Sequence, residues 1–192
     1  NDIIIIFIMN ISFIILAGGE SKRFNSKTPK PYHPYKGKPL LMHSIDRVKS
    51  YKKFKKIVIV VHKNHTKFIK KLKIPNIKII KGGRTRAESA FKGLNSLKNS
   101  NTKYVMIHDA ARPNFSLKLL NKLKKEIQFN NCVVPAIQTA DSVKQKIKGK
   151  VKNLKRENIF FMQTPQAFNY NELFKLQKNK SLEVTDDANL FV

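Results

Sequence analysis

Ile11-Ser12-Phe13-Ile14-Ile15-Leu16-Ala17-Gly18-Gly19-Glu20-Ser21-Lys22-Arg23-Phe24 is the stretch on which the reading of this chain turns. The run Ile11–Leu16 predicts a buried strand, because a continuous Ile-rich segment of this length suits a sheet covered on both faces. It ends in small residues and then in cations. Small residues let backbone N–H groups approach a phosphate closely, and cations then neutralise it. A Gly-rich turn alone says little, since many such loops are only tight turns. Arg23, with Lys30 soon after, points to a nucleoside triphosphate.

Outward from this segment, apolar runs alternate with helical patterns. Further strands are expected at Lys56–Val61, Ile77–Lys81, Tyr104–His108 and Cys132–Ala136. Helices are expected at Pro39–Ser50, His65–Leu72, Thr85–Leu97, Ser116–Phe129 and Tyr170–Lys178. Ile/Val strands between amphipathic helices, joined by right-handed crossovers, predict an α/β fold: a Rossmann-like three-layer sandwich with a mostly parallel sheet. Ligands of such sheets bind beyond the C-terminal strand ends. The loops at 17–30, 82–86 and 109–113 all follow strands. Residues 137–159 lack helical periodicity, carry many Lys and turn at Lys148-Gly149-Lys150. They read as a protruding hairpin arm. An arm of this kind cannot bury itself, so a homodimer is expected.

The 192 residues suffice for one domain with a sizeable core. The formal charge of +27 raises the question of a nucleic-acid partner. Only six of the 39 basic residues are Arg, and the Lys are scattered without interleaved aromatics. A stacking platform needs such aromatics, so no specific nucleic-acid binding is expected. Five of the six Arg (Arg23, Arg84, Arg86, Arg112 and Arg156) sit in or beside Gly, Pro or Asp loops. Their planar forks suit phosphate and carboxylate. Cys132 is the single cysteine, which excludes an intrachain disulfide and fits a reducing cytoplasm. It reads as a small buried core residue. The apolar stretch Ile3–Leu16 is too short for a spanning helix and has no basic segment before it, so no membrane anchor is expected. Met9 reads as the natural start, with residues 1–10 a leader and 11–192 the domain. The end at Val192, inside a helical pattern, suggests truncation.

Three further segments carry candidate chemistry. Gly82-Gly83-Arg84-Thr85-Arg86-Ala87-Glu88-Ser89 reads as a helix entry, with Thr85 as N-cap and Glu88 completing a capping box. That leaves Arg84 and Arg86 unexplained, and they are candidates to line a nucleotide pocket. In His108-Asp109-Ala110-Ala111-Arg112-Pro113, Asp109 stands where it could meet Mg²⁺ or a substrate hydroxyl, or merely pair with Arg112. His108 reads as a packed or hydrogen-bonded residue. Thr185-Asp186-Asp187 reads as a helix N-cap with acidic first-turn residues.

Taken in order, several motifs resemble a known family. They are Gly18-Gly19 with Arg23, Pro29-Lys30-Pro31-Tyr32, Gly37-Lys38-Pro39, Gly82–Ser89, His108–Pro113, Asp141-Ser142-Val143-Lys144, Gln163–Phe168 and Thr185-Asp186-Asp187. Together they are similar to the 2-C-methyl-D-erythritol 4-phosphate cytidylyltransferases of non-mevalonate isoprenoid synthesis. The resemblance implies transfer of CMP from CTP, with Mg²⁺, to methylerythritol phosphate. It implies CTP contacts at Ala17, Gly18, Gly19, Gly82, Gly83, Arg86 and Ser89. It implies transition-state cations at Arg23 and Lys30. Substrate contacts are implied at Asp109, Arg112, Ser142 and Arg156, the last also a catalytic candidate, and Asp109 is a candidate metal ligand. Ser142 and Arg156 are implied to reach the site across a dimer.

This sequence departs from the family pattern at Ser21 (usually Gly), Pro31 (usually Gln) and Ser142 (usually Thr). The family's final strand, with its second catalytic Lys, is absent, so the 192-residue chain is expected to be poorly active. Two enzymatic alternatives remain: a ribitol-5-phosphate cytidylyltransferase, and the first half of a bifunctional protein that continues into a cyclodiphosphate synthase. A basic nucleic-acid-binding protein on a nucleotide fold is the non-enzymatic alternative.

Overall fold

The computed structural model describes residues 9–19, 26–179 and 186–192. Strand β1 (Ile11–Ala17) is buried along its whole length. It is followed by the two-residue strands β2 (Pro34–Tyr35) and β3 (Lys38–Pro39) and by α1 (Leu40–Tyr51). Next come β4 (Ile57–Val61), α2 (Thr66–Lys71), β5 (Lys78–Lys81), α3 (Arg86–Asn95), β6 (Tyr104–Asp109) and α4 (Leu117–Glu126). The remainder holds β7 (Cys132–Val133), β8 (Ala136–Gln138), β9 (Val143–Ile147), β10 (Lys150–Leu154), β11 (Phe160–Met162), β12 (Gln166–Asn169) and α5 (Tyr170–Asn179). A short 3₁₀ turn, Asp187–Phe191, follows.

The main sheet runs β5-β4-β1-β6-β12-β7. Its first four strands are parallel, and β12 pairs antiparallel with both β6 and β7. Alternation along β1 separates two cores. Phe13 and Ile15 face α1, α2 and α4, whereas Ile14 and Leu16 face α3, α5 and the last turn. Phe13 is wholly buried, a contribution of about 1.5–3 kcal/mol for a side chain of this size. This is the three-layer sandwich expected from the pattern. The chain moves outward from β1 to β4 and β5, then returns to β6 on the other side of β1. That reversal opens a crevice at the strand ends between β1 and β6, where ligands of such folds bind.

Two strand expectations need correction. The expected strand Cys132–Ala136 is broken: β7 ends at Val133, and Ala136 begins β8, which leaves the main sheet. Pro135 lies between them, and a proline removes a ladder donor. Strand β12 was not anticipated. It has four residues with Gln and Asn at its ends, yet Gln166, Ala167 and Phe168 are all buried. Its place between β6 and β7, not its composition, makes it a strand.

The arm has two tiers. Strands β8 and β11 form an antiparallel ribbon at its root, and β9 and β10 form the hairpin beyond. Lys148 and Gly149 both have positive φ, 46° and 81°, as a two-residue turn with the twist of its strands requires. Ile137, Ile147, Val151, Phe160, Phe161 and Met162 on these strands are 48–63% exposed. Among the described residues, no helix is long and apolar enough to cross a membrane.

Candidate active site

The loops singled out after β1, β5 and β6 meet at one edge of the sheet. Gly18, just past β1, lies against the start of the His62 segment and the Ser89 hydroxyl; a Cβ there would stand 3.5 Å from His62 N and from Ser89 Oγ. The β5 loop folds back onto the first turn of α3. A Cβ on Gly82 would come within 2.6 Å of Ser89 Oγ, and one on Gly83 within 2.2 Å of Glu88 Cβ. Only glycine permits that approach. Ser89 is buried, accepts a hydrogen bond from Gly83 N–H (3.1 Å) and donates one to Thr85 O (2.9 Å). Its hydroxyl therefore holds the loop shut. Lys92 Nζ donates to Gly82 O (3.0 Å) from the next turn.

Thr85 caps α3, accepting from Glu88 N–H at 3.0 Å. The return half of the expected capping box is displaced by one residue, because Glu88 Oε2 accepts from Arg84 N–H (2.8 Å). Arg84 itself is almost fully exposed.

Arg86 is more enclosed. Its Nη1 donates to Asp187 Oδ2 at 2.6 Å and its Nε to Asp109 Oδ1 at 3.3 Å. Burial works against a charged guanidinium, but Asp187, Asp109 and Asp186 outweigh it and raise its pKa. Asp187 is wholly buried, and burial pushes its carboxyl up against the pull of Arg86. Its other oxygen accepts from Gln177 Nε2 at 2.7 Å. Two donors on two oxygens make a carboxylate, and the ion pair is the state that satisfies them. Asp186 plays the expected cap, accepting from Ala188 N–H (3.0 Å), and also accepts from Gln166 Nε2 (2.9 Å). Asp187 is the acidic first-turn residue that the pattern predicts, and it points inward, onto Arg86. Nothing local signals this, because its partner lies 101 positions earlier.

Asp109 ends β6 with its carboxylate between two cations, Arg86 on Oδ1 and Arg112 Nε on Oδ2 (3.5 Å). Arg112 also donates from Nη1 to Gln163 Oε1 (2.9 Å). The pairing of Asp109 with Arg112, one of the two readings of this turn, is therefore present together with a second cation. Both Asp109 oxygens are engaged, and no cluster of three or more His, Cys, Asp or Glu that could hold a metal ion occurs among the described residues. A metal ion on Asp109 would have to displace one of these guanidiniums.

His108 is buried, with Nδ1 2.9 Å from Thr164 Oγ1 and its ring 4.5 Å from that of Phe115. Burial lowers its pKa to about 4. Lys30 opens a 3₁₀ turn, Lys30–Tyr32, that is fastened from below. The buried Tyr32 ring stacks on Phe68 (5.1 Å) and meets His65 edge-on (5.3 Å). Cys132 is half-buried, not a fully enclosed core residue, and burial raises its thiol pKa to about 11. A thiol so far from ionising is a poor nucleophile.

Not every candidate gathers at the edge. Arg23 and Ser21, with the rest of 20–25, lie outside the described residues, as do the leader residues 1–8 and Thr185. Ser142 is exposed just before β9. Arg156 lies beyond β10, donating from Nη1 to Ala140 O (3.1 Å) and facing Glu157 (3.8 Å). With Gln138, Thr139, Ala140 and Glu157 it lines an open cleft at the root of the arm. These contacts are all within the arm.

Comparison with known proteins agrees with this architecture. The family model for 2-C-methyl-D-erythritol 4-phosphate cytidylyltransferase matches residues 11–192. Over 184 residues the chain is 72% identical to the bifunctional enzyme IspD/IspF of Pelagibacter ubique, covering 96% of this chain and 50% of that protein. It is 36% identical over 162 residues to the 2-C-methyl-D-erythritol 4-phosphate cytidylyltransferase of Leptospira borgpetersenii, covering 82% of this chain and 69% of that protein. The solved bifunctional IspDF of Campylobacter jejuni superposes with a TM-score of 0.81 at 33% identity, covering 94% of this chain and 46% of that one. The 4-diphosphocytidyl-2C-methyl-D-erythritol synthase of Anaerococcus prevotii gives 0.82 at 29% identity, covering 96% and 83%. The chain spans about half the length of the bifunctional relatives it matches.

Proposed function

This chain belongs to the 2-C-methyl-D-erythritol 4-phosphate cytidylyltransferase family, and from that premise we propose that it transfers the cytidylyl group of CTP to 2-C-methyl-D-erythritol 4-phosphate. A phosphate oxygen of the polyol attacks the α-phosphorus of CTP in line. The bond from that phosphorus to the bridging oxygen breaks, and pyrophosphate leaves with its electron pair. Little covalent work falls to the protein in such a transfer; it aligns the reactants and neutralises charge on the nonbridging oxygens. The observation that carries the reading is the convergence of Gly18, the Gly82–Ser89 loop and the Asp109–Arg112 turn at the strand ends.

In this reading the backbone after Ala17, at Gly18 and Gly19, lies along the triphosphate, and Arg23 and Lys30 meet the charge that develops on it. The Gly82-Gly83 backbone and Ser89 face the nucleoside, with Arg86 behind them. Asp109 and Arg112 face the polyol. A Mg²⁺ ion bound with the triphosphate would neutralise part of its charge, with Asp109 as the candidate side chain to hold it. The exposed apolar residues of the arm support a homodimer in which Ser142 and Arg156 reach the partner's crevice. The single cysteine fits a reducing cytoplasm as the working compartment.

The test supplies the full gene product with CTP, Mg²⁺ and either methylerythritol phosphate or ribitol 5-phosphate. Cytidine diphosphate-methylerythritol and pyrophosphate in equal amounts are expected. Faster turnover of ribitol 5-phosphate, or no product from either, overturns the proposal.

A further inference from the structure

Asp187 is a wholly buried carboxylate on a short 3₁₀ turn. Replacing a buried ion pair by packed apolar residues is often neutral or stabilising, so stability is a weak reason for this one to exist. Its surroundings suggest another. From Asp187 a row of alternating charges runs along the crevice edge: Asp187, Arg86, Asp109 and Arg112, ending on the Gln163 amide oxygen. Gln177 fixes Asp187 from behind. Each carboxylate oxygen of Asp109 meets a different guanidinium, so its orientation depends on what else Arg86 binds.

We infer that Asp187 is a positioning residue of the site: by holding Nη1 of Arg86 it keeps Asp109 shared between Arg86 and Arg112. Without the Asp187 charge, the fork of Arg86 keeps Asp109 as its ion-pair partner and closes on it through two nitrogens, the geometry that guanidinium–carboxylate pairs prefer. Asp109 then turns toward Arg86 and releases Arg112. Arg86 is in this view a strut behind the pocket rather than a ligand of the nucleotide. The site of a polyol phosphate, which needs Asp109 and Arg112 in register, loosens, while the alignment of the triphosphate is little changed. This consequence rests on the function proposed above; the rearrangement itself does not.

The experiment compares Asp187→Asn, Arg86→Gln and the double variant in the full gene product. Asp187→Asn is expected to raise KM for methylerythritol phosphate at least about tenfold, the order of losing one charge-assisted hydrogen bond, with kcat and KM for CTP little changed. In the Arg86→Gln background it is expected to add nothing, because it acts through Arg86. Additive effects overturn the inference. So does a fall in thermal midpoint with KM unmoved, which is what a merely structural role would give. Should Asp187→Asn fail to fold, Asp187→Glu keeps the charge and displaces it by a methylene. A rise in KM is then expected, and an unchanged KM overturns the inference. A crystal structure of a folded Asp187 variant separates this inference from the proposed function. Arg86 closed on Asp109 sustains the inference even if the wild type turns over neither polyol phosphate, and an unmoved Arg86–Asp109–Arg112 row refutes it.

Discussion

At the crevice edge, Arg86 and Asp187 are enclosed and paired; on the arm, apolar groups are exposed. Arg86 and Asp187 find each other within one chain, from elements far apart in sequence. Phe160, Phe161, Met162 and Ile137 lie on a two-stranded ribbon, and about half of each residue remains in water. Ribbons of two strands are marginal by themselves. Among the described residues the Arg86–Asp187 pair is made within one chain, whereas the arm leaves open the apolar surface that the proposed homodimer would cover.

The comparison can be broken most sharply at the edge. Lys30→Ala and Arg23→Ala in the full gene product are each expected to lower kcat by about 10²–10³-fold, the range for losing a preorganised transition-state donor. Steady-state release of pyrophosphate reads this out. Normal turnover by Lys30→Ala would remove that cation from the proposed chemistry.

A second effect tests how closed the core beneath the edge is. His108 takes up a proton only near pH 4 when folded, against an ordinary value of 6.5, because it is buried. Its contribution to stability is complete above pH 6.5 and is lost as pH falls toward 4, by up to about 3 kcal/mol. Asp187 works in the opposite sense: with its pKa raised by burial, the folded state takes up its proton before the unfolded one as pH falls. The useful quantity is therefore the difference between wild type and His108→Phe in chemical unfolding at several pH values. A difference that does not change between pH 6.5 and 4.5 rules out the enclosed, neutral imidazole.

On the arm the expected change is smaller. Phe160 and Phe161 each have about half their surface left to bury, about 1 kcal/mol apiece. Phe160→Ser with Phe161→Ser is expected to weaken self-association by about 2 kcal/mol, a 30-fold rise in dissociation constant, in sedimentation equilibrium. The thermal midpoint of the separated chain should hardly move. A large fall would mean that the ribbon supports the sandwich, and the contrast between the two regions would fail. The least effect is expected at Cys132→Ala, with unchanged activity and a loss of less than about 1 kcal/mol, because only part of a small side chain is removed from a half-buried position. Alkylation of the native thiol should leave turnover intact.

Much of this arrangement is present in the sequence alone. Continuous Ile/Val runs must be buried on both faces, and amphipathic segments between them must cover those faces, so strands, helices and a parallel sheet follow from local pattern. The small residues after β1 and β5, and the acidic end of β6, mark the loops that meet at the crevice. Hairpin residues Lys148-Gly149 mark the arm. Tertiary structure decided what local pattern cannot carry. Strand β12 exists because β6 and β7 offer it hydrogen-bonding edges on both sides, although no strand is expected from its four residues. Asp187 is a buried partner of Arg86 because α5 and the last turn fold over α3; a carboxylate beside a helix start has the same local sequence whether it faces water or a guanidinium. Burial and charge pairing are sums over everything nearby in space, and a linear sequence specifies only what is nearby along the chain.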